Sequence, residues 1–256
     1  MTHLSNPQCC VGPGTDSALV PGAAGATAAS CARLAPQLAA LLPPGAVAAE
    51  LCGAGDPALL LDAERQAVQH CAPKRMREFA AGRQCARLAL QELGVHGFPL
   101  LPAPDRQPVW PPSVTGSITH TDGYCAALVA RCSQFRGLGV DCEVTQAVHE
   151  ELWPRICGAQ ELAWLERLPR EQRVAHAALL FSAKESFYKC QYPVTGEWLD
   201  FTAVHIELPD AHGSGEGFLV IPQRSLRLQG SARLPLPGRF RFREGRVITA
   251  IALPAA

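Results

Sequence analysis

The chain has 256 residues with 23 basic and 23 acidic side chains, so it carries no formal net charge at neutral pH. That length buries a substantial core as one large or two small domains, and a balanced charge without a long Lys/Arg run speaks against nucleic-acid binding. Pro36 and Pro43-Pro44 interrupt the Ala-rich stretch near 35–50, and no basic-then-apolar leader opens the sequence, so neither membrane insertion nor secretion is expected.

Residues 1–30, rich in Gly, Ala, Pro, Ser and Thr, read as a poorly ordered arm. A short helix is expected over 31–42, then a strand, a Gly-Asp-Pro turn and a short apolar run over 45–62. The clearest helix of the first half spans 73–94, with Pro73 suited to its first turn and Gly94 to its stop. Phe79, Ala86, Leu90 and Leu93 recur on it at helical spacing. Pro99 to Pro112 is a proline-rich loop that runs extended and carries Arg106 and Trp110.

Val114 to Thr121 reads as a strand ending at His120, and Tyr124 to Arg131 as the next, with Gly139–Glu143 following as a hairpin partner. Helices are expected over 146–157, 159–168 and 171–190, then a loop from Pro193 to Trp198. The remainder reads as strands at 201–208, 218–221, 225–228, 238–243 and 246–253. Each half thus has a helical part followed by strands, which hints at two packed subdomains. The eleven cysteines are scattered without a C-x-x-C, and read as reduced thiols of a cytoplasmic protein.

Two stretches carry chemistry. In Gly139-Val140-Asp141-Cys142-Glu143, strand alternation puts Asp141 and Glu143 on one face, about 7 Å apart, and Val140 and Cys142 on the other. In Phe181-Ser182-Ala183-Lys184-Glu185-Ser186-Phe187-Tyr188-Lys189, Glu185 and Lys189 share a helix face, with Lys184 beside it. If strand and helix meet, three carboxylates form a hard-oxygen site of the kind Mg²⁺ takes, and the lysines suit a bridged polyphosphate. The plain alternative is a solvated acidic face and a surface Glu-Lys pair.

Four blocks in order, Lys74-Arg75 through Ala81-Gly82-Arg83, Arg106 to Pro111, Gly116 to His120, and these two central motifs, make the chain resemble the Sfp-type 4′-phosphopantetheinyl transferases, in their enterobactin-synthesis (EntD-like) branch. The resemblance runs from about residue 70 to 200. It implies an α+β fold of α/β sandwich type, with two pseudo-symmetric subdomains, 31–138 and 139–256, and a cleft between them for coenzyme A. It implies a monomer that moves the 4′-phosphopantetheine arm of coenzyme A onto a serine of an apo acyl or peptidyl carrier protein and releases 3′,5′-ADP.

Carried over residue by residue, the resemblance makes Asp141, Glu143 and Glu185 the Mg²⁺ ligands, and Lys184 and Lys189 the phosphate-side lysines. His120 with Thr119 becomes a pyrophosphate contact. Lys74, Arg75 and Arg83 face the 3′-phosphate and adenine, and Arg106 is another basic contact to the nucleotide. Glu161 falls where some members carry a further acidic residue. Family members often have Ser at Thr119 and an aliphatic residue at Cys142. For catalysis, Glu185 is the candidate base, Lys189 the stabiliser of the leaving phosphate, and His120 the donor from the other side. Two other readings use parts of the same set: a coenzyme A-binding protein without catalysis, against which the three carboxylates argue, and a Mg²⁺-dependent pyrophosphate hydrolase acting on such nucleotides.

Overall fold

The computed structural model describes residues 31–208, 216–228 and 235–255; the expected arm, 1–30, lies outside them. The first half opens with β1 (Arg33–Leu34), α1 (Pro36–Ala39) and β2 (Val47–Cys52), where one helix was expected over 31–42. Then come α2 (Asp62–Val68), α3 (Pro73–Glu92), β3 (Val114–Thr121) and β4 (Tyr124–Arg131). Its strands form an antiparallel sheet in the order β1-β2-β4-β3.

The second half contains β5 (Phe135–Val144), α4 (Trp153–Ile156), α5 (Ala159–Arg167), α6 (Arg170–Thr195), β6 (Val204–Glu207), β7 (Gly217–Pro222), β8 (Leu236–Arg243) and β9 (Arg246–Pro254). These strands form a second antiparallel sheet, β5-β9-β8-β7-β6. The architecture is α+β, two sheets with a long helix laid on each. No strand forms at 225–228, and the helix expected over 146–157 contracts to a 3₁₀ turn at Glu150–Leu152 followed by α4.

The expected hairpin between Tyr124–Arg131 and the Gly139–Glu143 strand does not form: β5 pairs with β9 in the other sheet. The edges of β3 and β5 still meet, through side chains rather than a backbone ladder. The Val140 amide donates to Ser117 Oγ at 3.1 Å and the Cys142 amide to Thr119 Oγ1 at 3.0 Å. Two hydroxyls therefore satisfy edge donors that a ladder would otherwise take. Behind this seam Tyr124, Ala126, Leu128 and Ala130 of the first sheet pack on Leu138, Val140, Cys142, Ile248 and Ala250 of the second. Val140 and Cys142 thus point into the inter-sheet core, leaving Asp141 and Glu143 for the opposite face.

α3 covers the outer face of the first sheet with Ala81, Cys85, Ala89 and Leu90. It starts at Pro73 and is followed by Gly94 at φ 74°, a left-handed stop that glycine permits. α6 runs through Pro193, where a loop was expected, and Gly196 at φ 66° ends it. The approach of α6 to β5 is unusually close. A Cβ on Gly139 would lie 1.8 Å from the Ser186 carbonyl oxygen, and one on Gly137 2.3 Å from that of Cys190.

Gly139→Ala should therefore push α6 off β5 and cost about 3 kcal/mol or more in urea unfolding. Gly217→Ala, whose Cβ would find only an oxygen at 3.9 Å, is the control and should change little. Equal stabilities for the two variants would refute the close-packing account.

Candidate active site

The contact between α6 and β5 creates the central pair. Lys189 Nζ donates to Asp141 Oδ1 at 2.7 Å and to the Val140 carbonyl at 3.3 Å. Thr119 Oγ1 donates to the same Asp141 oxygen at 3.3 Å. Asp141 is 4 % exposed, and its other oxygen, Oδ2, is buried without a hydrogen-bond partner. Burial lowers the Lys189 ammonium, but Asp141, Glu185 and Glu143 more than reverse that, so it is held above its usual value and stays charged. Burial, then the Asp141 charge, pushes Glu143 up to about 8, against the pull of Lys189. Burial raises Glu185 too, with Lys189 opposing and Asp141 adding. Asp141, Glu143, Glu185 and Lys189 therefore form one electrostatic unit, drawn from a strand and a helix more than forty positions apart.

His120, at the exposed end of β3, lies beside this unit. Arg75 on α3 donates from Nη1 to His120 Nε2 at 3.3 Å; a guanidinium only donates, so Nε2 accepts and the ring proton sits on Nδ1. Desolvation of the ring lowers the imidazole below its usual value, with Arg75 and Lys189 adding and Glu78 and Asp141 opposing. His120 is thus a neutral ring near pH 7, presenting an Nδ1–H.

Thr119 and Lys184 differ from expectation. The Thr119 hydroxyl gives its proton to Asp141 and accepts the Cys142 amide, so both of its roles are taken by the protein. It orients Asp141. Lys184 is sealed in the second half: Nζ donates to Glu161 Oε2 at 2.7 Å, to the Ile156 carbonyl at 2.8 Å and to the Phe201 carbonyl at 2.9 Å, which occupies all three donors. It is 3 % exposed and holds structure rather than phosphate.

Its counterpart explains why. Glu161 accepts the Gly158 amide at the start of α5, the Ile206 amide and Lys184. In the first half Glu64 accepts the Leu61 amide at the start of α2, the Leu100 amide and Arg87 at 2.6 Å. Both acids precede their basic partner by 23 positions. Glu64–Arg87 and Glu161–Lys184 are one device used twice, and the equal spacing was the signal available in the sequence.

The remaining expected contacts are spread around His120. Lys74 and Arg75 are exposed in the first turns of α3. Arg83 lies two turns beyond Arg75, 8 % exposed, its guanidinium 3.7 Å from the centre of the Phe79 ring, and burial lowers it to about 10. Its Nε donates to the Leu100 carbonyl, so only its Nη atoms can turn to a phosphate. Arg106 is exposed at a loop tip with φ 71°. Two cavities elsewhere, of about 240 Å³ between α1 and the two sheets and about 440 Å³ between α5 and β6, contain none of the carboxylates of the Asp141 unit.

Do the residues fit a divalent ion? Three carboxyl groups surround one ammonium, and the buried Asp141 Oδ2 has no hydrogen-bond partner. A hard-oxygen donor set of this kind fits Mg²⁺. Among the described residues no three acidic, His or Cys side chains are gathered as a ready metal cluster, so side chains must close in to bind it.

Comparison with known proteins agrees across both halves. The family description "4'-phosphopantetheinyl transferase N-terminal domain" matches residues 63–130, and "4'-phosphopantetheinyl transferase superfamily" matches 137–232. The chain is 39 % identical over 223 residues to 4'-phosphopantetheinyl transferase Svp of Streptomyces mobaraensis, covering 85 % of this chain and 89 % of that one. It is 35 % identical over 219 residues to 4'-phosphopantetheinyl transferase Npt of Nocardia iowensis, covering 83 % and 97 %. Enterobactin synthase component D of Salmonella typhi is 38 % identical over 118 residues, covering 45 % of this chain and 48 % of that one.

Two outcomes test the electrostatics. Lys184→Met strands the buried Glu161 charge and should cost about 3 kcal/mol or more in urea unfolding, part of it recovered by adding Glu161→Gln. A Lys184→Met chain of undiminished stability that binds coenzyme A weakly would return Lys184 to the phosphate. Glu143 has its folded value above the ordinary 4.5, so the stability it contributes is complete below about pH 4.5 and is lost as pH rises through about 8. Metal-free Glu143→Gln should therefore lose less stability between pH 5 and pH 8 than the wild-type chain; parallel losses would sink the assignment.

Proposed function

The chain belongs to the 4′-phosphopantetheinyl transferase superfamily and transfers the 4′-phosphopantetheine of coenzyme A to a carrier-protein serine; we propose that it does so with Mg²⁺ held by Asp141, Glu143 and Glu185. The observation that carries this reading is the buried, unpartnered Asp141 Oδ2 within a unit of three carboxylates and one lysine. When bound, Mg²⁺ supplies positive charge to the pyrophosphate oxygens, on which charge grows as the bond breaks.

The chain's own groups do the rest. The serine oxygen attacks the β-phosphorus in line, and 3′,5′-ADP leaves. Such a transfer depends mainly on positioning and electrostatics. Glu185 accepts the serine proton. A carboxyl raised by burial is a stronger base than an exposed one, and general-base help is worth roughly 10²–10⁴-fold. Lys189, kept charged by its carboxylate neighbours, stabilises the leaving phosphate. His120 donates its Nδ1 proton to a pyrophosphate oxygen, its ring steadied by Arg75. Lys74, Arg75 and the Nη atoms of Arg83 face the 3′-phosphate side, and Arg106 reaches the nucleotide from its loop. Arginine suits these places because its planar fork gives always-charged paired donors.

The partners are apo acyl or peptidyl carrier proteins, including those of siderophore and peptide synthesis. The monomer implied by the resemblance is part of this reading. Thiols such as Cys85 and Cys190, buried without a disulfide, support the reducing cytoplasm. No helix among the described residues is long and apolar enough to cross a membrane.

Incubation of an apo carrier with coenzyme A, Mg²⁺ and this chain should add one phosphopantetheine arm to the carrier mass. Asp141→Asn should fold normally, since Asn keeps the acceptor for Lys189, yet lose at least about 100-fold in transfer rate. Turnover by that variant at the wild-type rate would remove the ligand assignment. Consumption of coenzyme A with no mass gain on any carrier would favour the hydrolase.

A further inference from the structure

Two cysteines lie at the open end of the first two strands, Cys31 two residues before β1 and Cys52 the last residue of β2. β1 and β2 run antiparallel with Arg33 opposite Glu50 and Leu34 opposite Ala49. The same register carried back two residues sets Ala32 opposite Leu51 and Cys31 opposite Cys52. Packing supports that extension. Ala32 packs into the same apolar cluster as Leu51, on the α3 side of the sheet. The Ala35 amide donates to the Ala48 carbonyl at 2.9 Å, so the register also holds beyond the other end of β1.

Side-chain direction agrees. Arg33 and Glu50 meet on the opposite face, at 2.9 Å, and strand alternation gives Cys31 and Cys52 that same face. Ala35 and Ala48 form a hydrogen-bonded pair, so alternate pairs, Arg33 with Glu50 and Cys31 with Cys52, are of the same kind. Opposed residues of that kind have Cα atoms about 5.5 Å apart, inside the roughly 4.4–6.8 Å that a disulfide spans. Both cysteines are free and exposed, whereas Cys85, Cys125, Cys142, Cys157 and Cys190 are buried.

We propose that Cys31 and Cys52 form a reversible cross-strand disulfide, a modification site at the point where residues 1–30 join the sheet. A low-molecular-weight disulfide such as oxidised glutathione is the oxidant. One cysteine thiolate attacks a glutathione sulfur, forming a mixed disulfide and expelling a glutathione thiolate. The second cysteine thiolate attacks the protein-bound sulfur and expels the other. Two protein thiols are oxidised, one glutathione disulfide is reduced, and the two thiol protons pass to the departing thiolates.

The bridge lies two strands from His120 and on the other face of the first sheet. Cys52 is opposite Tyr124, which is opposite Thr121, while Leu51, Cys125 and His120 form the adjoining row across the sheet. Oxidation therefore ties the first described residues to the end of β2.

The test is to equilibrate the full chain with oxidised glutathione, alkylate the free thiols, digest without reductant and read the peptides by mass spectrometry. A peptide linking Cys31 to Cys52, two hydrogens lighter than its parts and lost on adding dithiothreitol, is expected. It should vanish in Cys31→Ser and Cys52→Ser and persist in Cys71→Ser. In Cys31→Ser, Cys52 should stall as its glutathione adduct, because the resolving thiol is gone. Recovery of both cysteines alkylated or both glutathionylated in the wild-type chain, or of Cys52 joined to another cysteine, would overturn the proposal.

Discussion

At Gly139 the Ser186 carbonyl oxygen occupies the place of a side chain, and at Gly137 the Cys190 carbonyl does nearly the same. One helical turn earlier, the Ser182 hydroxyl meets Thr249 Oγ1 at 2.9 Å, and that threonine hydroxyl also donates to the Ser182 carbonyl. Residues 182, 186 and 190 recur every four positions, so α6 is seated on β9 and β5 along a single stripe. The neighbouring stripe, Glu185 and Lys189, is thereby carried to Asp141. A side chain on either glycine would lift the helix and separate acid from base before any chemistry could begin.

The seam between the sheets has the same logic. Ser117 and Thr119 offer hydroxyls to amides on the edge of β5, which join the halves without a continuous ladder. Thr119 then spends its proton on Asp141. One residue stitches the sheets and aims the candidate metal ligand, so the site forms only where the halves are correctly joined. Away from the seam each half is locked by its own buried pair, Glu64–Arg87 in one and Glu161–Lys184 in the other. Such pairs contribute little net stability against their desolvation cost, but they penalise any arrangement that breaks them.

The proposed site is completed by substrate and cation. Lys189 faces three carboxyl groups, and burial is the first cause that raises Glu143 and Glu185. In the proposed metal-bound form a divalent ion would offset the carboxylate charge, and a diphosphate would bring further oxygens for Lys189 and His120 to meet. The family's transfer chemistry, in which charge moves between phosphate oxygens, is suited to a site poised this way.

Much of this was legible in the chain. Alternation along Gly139–Glu143 separated Asp141 and Glu143 from Val140 and Cys142, helical spacing joined Glu185 to Lys189, and Pro73 and Gly94 bounded α3, because local geometry repeats on a fixed period. The order of the motifs identified the family. Three things depended on which distant segments meet, and no local period encodes that: β5 leaves the first sheet to pair with β9, Lys184 turns inward to Glu161 although it adjoins Glu185, and Thr119 bonds Asp141. Adjacent helix positions point about 100° apart, so a single step along α6 separates a buried lysine from the carboxylate proposed as catalytic. Only the packing of α6 against both the sheet and α5 decides which of the two faces the reaction.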